Sequence, residues 1–349
     1  NNRVITGDNT AGVLNAEPDF TFDAAKLNLE AGLGHVIDGT YSAIVGGLNN
    51  TIDLSTTCYA AIAGGQLNTG SNDWAFIGGG FLNIASGIKS AIIGGSNHTI
   101  GGTDSAIVGG CNNTIDGTDS AIAGGCNNII DGTYSAIVGG LNNTIDLTTT
   151  CYAAIAGGQL NTGSNDWAFI GGGCRNIASG IRSAVIGGNR NTADTYDSVI
   201  AGGLLNSITG TLTEHNSNFI GGGASNVIQD VQNANIGGGE CNCVFASRAG
   251  IGSGTGNVIQ AGGFYSFIGG GGSNIITTGT LNAAILGGGG NTGSHDNSFT
   301  IGSNITTQGE CTTFVNNLAY YVQSGNETTH LTNPGNAGEI VYFGAVQGG

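Results

Sequence analysis

A short phrase repeats along most of this 349-residue chain, and it constrains the fold more than any other feature. Gly-Gly-x-x-Asn occurs fourteen times, from the copy ending at Asn50 to the copy ending at Asn291, with degenerate copies ending at His98 and Asn257. Most intervals are 15 residues and the rest run from 16 to 20. A longer duplication overlies this period: residues 37–95 reappear as 130–188, with 54 of 59 positions identical. Two places before each Gly-Gly stands Ile44, Ile62, Ile77, Ile92, Ile107, Ile122, Ile137, Ile155, Ile170, Val185, Ile200, Ile220, Ile236, Ile251, Ile268 or Ile285. Four places before it the residue is Ser or Ala, with Asn218 the exception.

Spacing within a unit gives the local structure. In the first unit the restricted positions are Ser42, Ile44, Gly46, Asn50 and Ile52, all of one parity. On an extended chain they point to one side. A period of two rather than 3.6 makes these segments strands. Fifteen residues with two turns leave two short strands per coil, and neither buries its face alone, whereas stacked coils bury a continuous ladder. Asp-Gly pairs such as Asp116-Gly117 read as turns, and the Gly-Gly-x-x-Asn corner suits positive φ. The expected fold is therefore all-β: a parallel β-solenoid of about 16 coils over 37–305, flanked by non-repeat β-modules at 1–36 and 306–349. At ~4.8 Å per coil it would be a rod of roughly 75 Å.

One aliphatic ladder is too little for such coils, because ordering each residue costs roughly 1–2 kcal/mol of backbone entropy. The opposite face of the first strand supplies more apolar surface: Ala43 and Val45, Ala61 and Ala63, Phe76, Ala91 and Ile93, Ala106 and Val108. Such two-faced strands belong to sheets covered on both sides. The return strand has one polar face, with Thr114 and Asp116 alternating with Asn113 and Ile115. We expect the first strand to lie between the chain's own interior and sister copies in a homotrimer.

Composition removes several function classes. Glycine is abundant (68 residues), but two prolines exclude collagen. A hydrophobic share of 39% argues against a disordered linker. Seven Lys+Arg in a chain of formal charge −16 argue against nucleic-acid binding. No apolar run is long enough for membrane insertion by a helix. The chain has no Met and no visible signal peptide, so a processed or partial product is expected.

Residues 105–115, Ser-Ala-Ile-Val-Gly-Gly-Cys-Asn-Asn-Thr-Ile, resemble the head repeat of trimeric autotransporter adhesins, the YadA-like head. That resemblance covers roughly 40–305 and implies a left-handed, trimeric parallel β-roll. Ile stands here where the family has an inner Ala. The flanks, Phe20–Leu29 and Thr312–Leu318, are similar to short β-modules joining segments of phage and large-virus fibres. No coiled-coil heptads or membrane-anchor barrel accompany the repeats, which favours a virion fibre over a bacterial cell-surface adhesin.

Chemistry-bearing residues are few. Paired carboxylates for glycoside cleavage, as in a tailspike depolymerase, need a groove; acids such as Asp116 and Asp131 fall in turns, where solvated turn chemistry is the simpler reading. Glu214 with His215 is the acid–His neighbour outside a regular coil. A hexapeptide-repeat acyltransferase would need coils in multiples of six. No cofactor is expected. Cys241-x-Cys243 lacks the second pair that zinc requires, and Asn in place of Asp after the glycines argues against a calcium ladder. The interrupted Thr row argues against ice binding. The Asn row suits stacked amide hydrogen bonds along the axis. For Cys111 and Cys126, parallel Cβ atoms ~4.8 Å apart exceed the usual ~3.8 Å, so free, half-buried thiols are expected for the eight cysteines. Sequons at Asn49, Asn97, Asn112, Asn142, Asn304 and Asn326 fit chance in so Asn- and Thr-rich a chain.

One surface row stands out. Tyr41, Tyr59 and Trp74 occupy successive coils at the turn before the first strand; Tyr134, Tyr152 and Trp167 repeat them, and Tyr265 adds one later. Such rings could grip sugar faces or wedge between subunits. Insertions around 55–57, 148–150 and 209–217 leave from this same corner, and insertions on one side of a solenoid mark its binding side. The expected function is non-enzymatic: an extracellular attachment fibre, on a virion surface, that partners other fibre or capsid proteins and presents a face to a host glycan or receptor.

Overall fold

The computed structural model describes the backbone of residues 3–7, 14–23, 28–53, 58–146, 151–211, 216–316, 320–324 and 327–331, and side chains of that set between 29 and 316. The described residues contain strands and turns and no helix. They form stacked parallel coils about 15 residues apart, a β-solenoid. The chain divides into two compact units, Asn1–Asp230 and Val231–Gly349.

In the first unit most coils contribute two two-residue strands, with three residues at Ser207–Thr209 and Val227–Gln229. Ala106–Ile107 pairs in parallel with Ala91–Ile92 on one side and Ala121–Ile122 on the other, and Thr114–Ile115 pairs with Thr99–Ile100 and Ile129–Ile130. Equivalent residues face each other, so Ile lies on Ile along the first strands apart from Val185, while on the return strands Ile52 meets Gly70 and Ile145 meets Gly163. The 18-residue coils keep this register, with Ala43 opposite Ala61 and Ala136 opposite Ala154. A third point of contact is a single bridge at the residue after Gly-Gly, running from Leu33 through Cys111 and Cys126 to Ala224. Parallel pairing begins before residue 37: Asn28–Ala31 pairs with Ala43–Ile44, and its other edge joins the antiparallel strands Leu14–Asp23 and Arg3–Gly7. The second unit repeats the scheme from Asn235–Ile236 onward and carries parallel pairing past residue 305, from Phe299–Ile301 to Thr313–Val315. An antiparallel hairpin, Tyr320–Ser324 with Glu327–Leu331, follows.

The core is what the parity implies. All sixteen aliphatic ladder residues from Ile44 to Ile285 are at most 1% exposed. A second ladder on the return strands is buried too, through Ile52, Ile100, Ile115, Ile130, Ile145 and their equivalents. Each fully buried Ile is worth about 1.5–3 kcal/mol gross. Two small or polar ladders close the corners. Ser105 Oγ accepts the Ser120 N–H and has the Thr103 and Gly117 carbonyls at 3.0 and 2.9 Å, either of which can take its one proton.

The Asn corner works differently from a simple stack of amides. Asn128 Nδ2 donates to Gly124 O in its own coil (3.1 Å) and Gly140 O in the next (3.2 Å), and Oδ1 accepts the Asn143 backbone N–H (3.0 Å). The side chain thus replaces ladder bonds that the turning backbone cannot make. Direct amide-to-amide bonds accompany this at some steps, such as Asn143 to Asn128 and Asn291 to Asn274. His98 stands in the row with Nδ1 accepting the Asn113 N–H (3.1 Å), and its buried Nε2 has no partner. The Gly-Gly pair is asymmetric. A Cβ on Gly125 (φ +84°) would fall on the Gly140 carbonyl oxygen, whereas one on Gly124 would meet nothing.

The cysteine expectation needs one correction. Cys111 and Cys126 are disulfide-bonded, with Cα atoms 4.7 Å apart. That lies inside the usual Cα range, and the two side chains converge instead of standing parallel. Cys174, Cys241, Cys243 and Cys311 are free thiols, and Cys58 Sγ lies 3.2 Å from Thr40 Oγ1.

Candidate functional site

The residue before each Ser/Ala position adopts a left-handed conformation: Tyr41, Tyr59, Trp74, Tyr134, Tyr152, Trp167 and Tyr265 have φ between 52° and 63°. Asn or Asp suits this geometry, and a bulky ring there is a conformational outlier. Asp104, Asp119 and Asp197 occupy the same corner in other coils. The turn leading to each Trp is built identically in both copies. Asn72 Nδ2 donates to Ser86 O and Asp73 Oδ1 accepts the Cys58 N–H, while Asn165 and Asp166 do the same with Ser179 and Cys151.

The rings form two columns. Tyr41–Tyr59 and Tyr59–Trp74 centroids lie 5.1 and 4.5 Å apart with planes 12° and 17° from parallel. Tyr134–Tyr152 and Tyr152–Trp167 repeat this at 5.0 and 4.4 Å, with 9° and 15°. Each ring is about half exposed, from 46% for Tyr152 to 56% for Trp167. The rings therefore overlap one another rather than standing as separate flat platforms. Tyr265 stands apart in the second unit, where Arg248 Nη1 donates to its hydroxyl (2.8 Å) and the guanidinium carbon is 5.4 Å from the ring centroid.

Sequence reasoning missed how each column continues. The next two coils carry a cation and an Asp at the same corner. Lys89 Nζ lies 3.6 Å from Asp104, and Arg182 holds Asp197 with two bonds, Nε to Oδ1 at 2.6 Å and Nη2 to Oδ2 at 2.9 Å. The signal was present as register: Lys89, Asp104, Arg182 and Asp197 all stand immediately before a Ser.

Of the other candidates, Asp116 and Asp131 face outward at the end of successive return strands. Burial, then the neighbouring charges of Asp116 and Asp146, raise the Asp131 carboxyl above its ordinary range. Burial also raises the Cys243 thiol, with Cys241 adding to it. Sequon residues Asn49, Asn97, Asn112, Asn142 and Asn304 occupy the second left-handed corner, with φ of 52–56°. Asn326, Glu214, His215 and the insertions at 55–57 and 148–150 lie outside the described residues. Comparison with protein-family models and with curated proteins finds no match for this chain.

Proposed function

We propose that this chain is a non-enzymatic segment of an extracellular attachment fibre, built as a homotrimer on a virion surface, in which the outer face of the first strands packs against sister copies. The single observation behind this reading is that face. Val45, Ile93, Val108, Val138 and Ile186 point outward and are 49–61% exposed, each two places after an Ala, and they share their row with Ala63, Gly78, Ala123, Ala156 and Gly171 on the coils between them. In the first unit the strip runs over twelve rungs, from Ile44 to Ile220. At ~4.8 Å per rung and a width of about 10 Å it covers roughly 500 Å², at the upper end of what a monomer leaves uncovered. Where Phe76 or Phe169 takes the place of Ala, the residue two places on is Gly78 or Gly171. The coils with Ala61 and Ala63, Ala121 and Ala123, and Ala154 and Ala156 are small at both places, so the strip alternates raised and recessed rungs into which a second copy can interdigitate.

The likeness of residues 105–115 to the YadA-like head supports the trimer, and the fibre-like flanks support the virion. A charge of −16 per chain discourages nonspecific adhesion to anionic surfaces. The native mass of the purified chain tests the reading. Three copies are expected, with Val138→Glu giving a monomer that keeps its β circular dichroism. A wild-type monomer at micromolar concentration overturns it. Incubation with host polysaccharide should show retention at constant polymer mass; a falling mass would make the protein a depolymerase.

A further inference from the structure

The attachment reading leaves open what such a fibre would hold. The geometry points to the two aromatic columns, Tyr41–Tyr59–Trp74 and Tyr134–Tyr152–Trp167, as paired binding sites for an extended, uncharged glycan chain lying along the coil stack. This rests on the attachment reading for its biological sense, but not on the trimer.

The ring geometry carries the argument. Parallel rings touch at about 3.5–4 Å. Centroids 4.4–5.1 Å apart therefore require a lateral slip of roughly 3 Å, so each ring overlaps the next as a shingle does. Part of each ring face stays open, in keeping with the half exposure of every ring. Sugar rings offer C–H faces to aromatic planes and hydroxyls to a polar rim. Here the rim includes the tyrosine hydroxyls and the exposed Lys89–Asp104 and Arg182–Asp197 pairs beside the last ring of each column.

Backbone conformation points the same way. Three bulky rings in each column occupy left-handed positions that cost of order 1–3 kcal/mol each. Two stacking contacts per column return about 0.5–1.5 kcal/mol apiece. Stacking alone does not offset that strain. The left-handed corner itself recurs along the whole stack, at Lys89, Asp104, Asp119, Arg182 and Asp197 as well as at the rings. What sets the two columns apart is three bulky rings placed there in succession, and that choice occurs twice, in the same order.

A sister chain is a poorer occupant than a glycan. Between the two triads the same corner presents Lys89, Asp104 and Asp119, and the Lys89–Asp104 side chains are 60% and 39% exposed. A dry subunit seam would be interrupted by these charges. A polymer touching down at two places would not. The Lys89 and Arg182 charges at this corner are taken up by Asp104 and Asp197, and the chain's net charge of −16 selects against anionic glycans. The triads are six coils apart, about 29 Å, so one long chain can bridge both.

The protein contains two tryptophans, Trp74 and Trp167, one in each column, so tryptophan emission excited at the red edge, where tyrosine does not absorb, reports on these sites alone. The full chain is titrated with cellohexaose, hexa-N-acetylchitohexaose and soluble hydroxyethylcellulose, with polygalacturonate as the anionic control. A saturable emission change and protection from acrylamide quenching are expected with at least one neutral probe. Trp74→Asn and Trp167→Asn place a residue suited to the left-handed corner, so folding is preserved. Each should halve the hexasaccharide signal at unchanged affinity and weaken polymer binding about tenfold or more through lost bivalency. No emission change with any neutral probe overturns the assignment, as does binding of polygalacturonate alone. Quenching protection that disappears on dilution to monomer, without any glycan effect, assigns the rings to the subunit interface instead. Native mass is read separately, so failure here and failure of the trimer are distinguishable.

Discussion

Replacing Asn128 by Ala tests whether the Asn corner carries stability through the backbone. The change removes two bonds from Nδ2, to Gly124 O and Gly140 O, and strips the acceptor from the Asn143 N–H and from Asn143 Nδ2, which keeps its bonds to Gly139 O and Gly158 O. Gly140 O keeps its bond from the Cys126 N–H, so it is not orphaned. The Asn143 N–H is; that residue is fully buried. Two net hydrogen bonds at about 0.5–1.5 kcal/mol each, plus about 1–3 kcal/mol for one buried unpaired donor, give an expected loss of roughly 2–6 kcal/mol. Asn128→His should cost less, because an imidazole Nδ1 can accept that N–H as His98 does for Asn113. Asn128→Asp should cost at least as much as Ala, because a carboxylate would face two carbonyl oxygens in a dry site. Stability is coil-local in a solenoid, so amide hydrogen exchange at Asn143 is the sharper assay beside denaturant unfolding. Equal stability of Ala and wild type, with the Asn143 amide still protected, would refute the reasoning.

Gly125→Ala should cost more than about 2 kcal/mol, since its Cβ meets the Gly140 oxygen and the chain there is left-handed, while Gly124→Ala should stay within about 0.5 kcal/mol; the two denaturation midpoints decide it. Burial lowers the His98 pKa from 6.5, so the fold keeps its full stability above that value and loses it as pH falls from 6.5 toward the depressed one. His98→Asn should abolish that part of the acid sensitivity, and identical pH slopes in both proteins would count against the assignment. Asp131 behaves oppositely: its raised pKa means its charge opposes folding as pH rises, so Asp131→Asn should gain about a few tenths of a kcal/mol at pH 7, and less in high salt.

Much of this fold was legible in the sequence because the repeat carries its own register. Period and parity identify which residues are equivalent, and in a solenoid equivalent residues stack, so the buried ladder from Ile44 to Ile285 follows without coordinates. The polar corner was legible as a row but not as a mechanism. A side-chain amide can bond to another amide or to the backbone, and only the path of the turning chain selects the Gly carbonyls. The columns at Tyr41 and Tyr134 were visible as rows; the slip between rings, and the ion pairs that continue them, depend on the left-handed corner aiming each side chain. The same holds for Cys111 and Cys126, whose spacing left bond and no bond close together until the directions of two Cβ atoms settled it. The sequence by itself determined which residues meet, because a 15-residue period makes neighbours of equivalents. Tertiary structure decided how they meet, because backbone dihedrals at the corners fix the angles on which hydrogen bonds, disulfides and ring contacts depend.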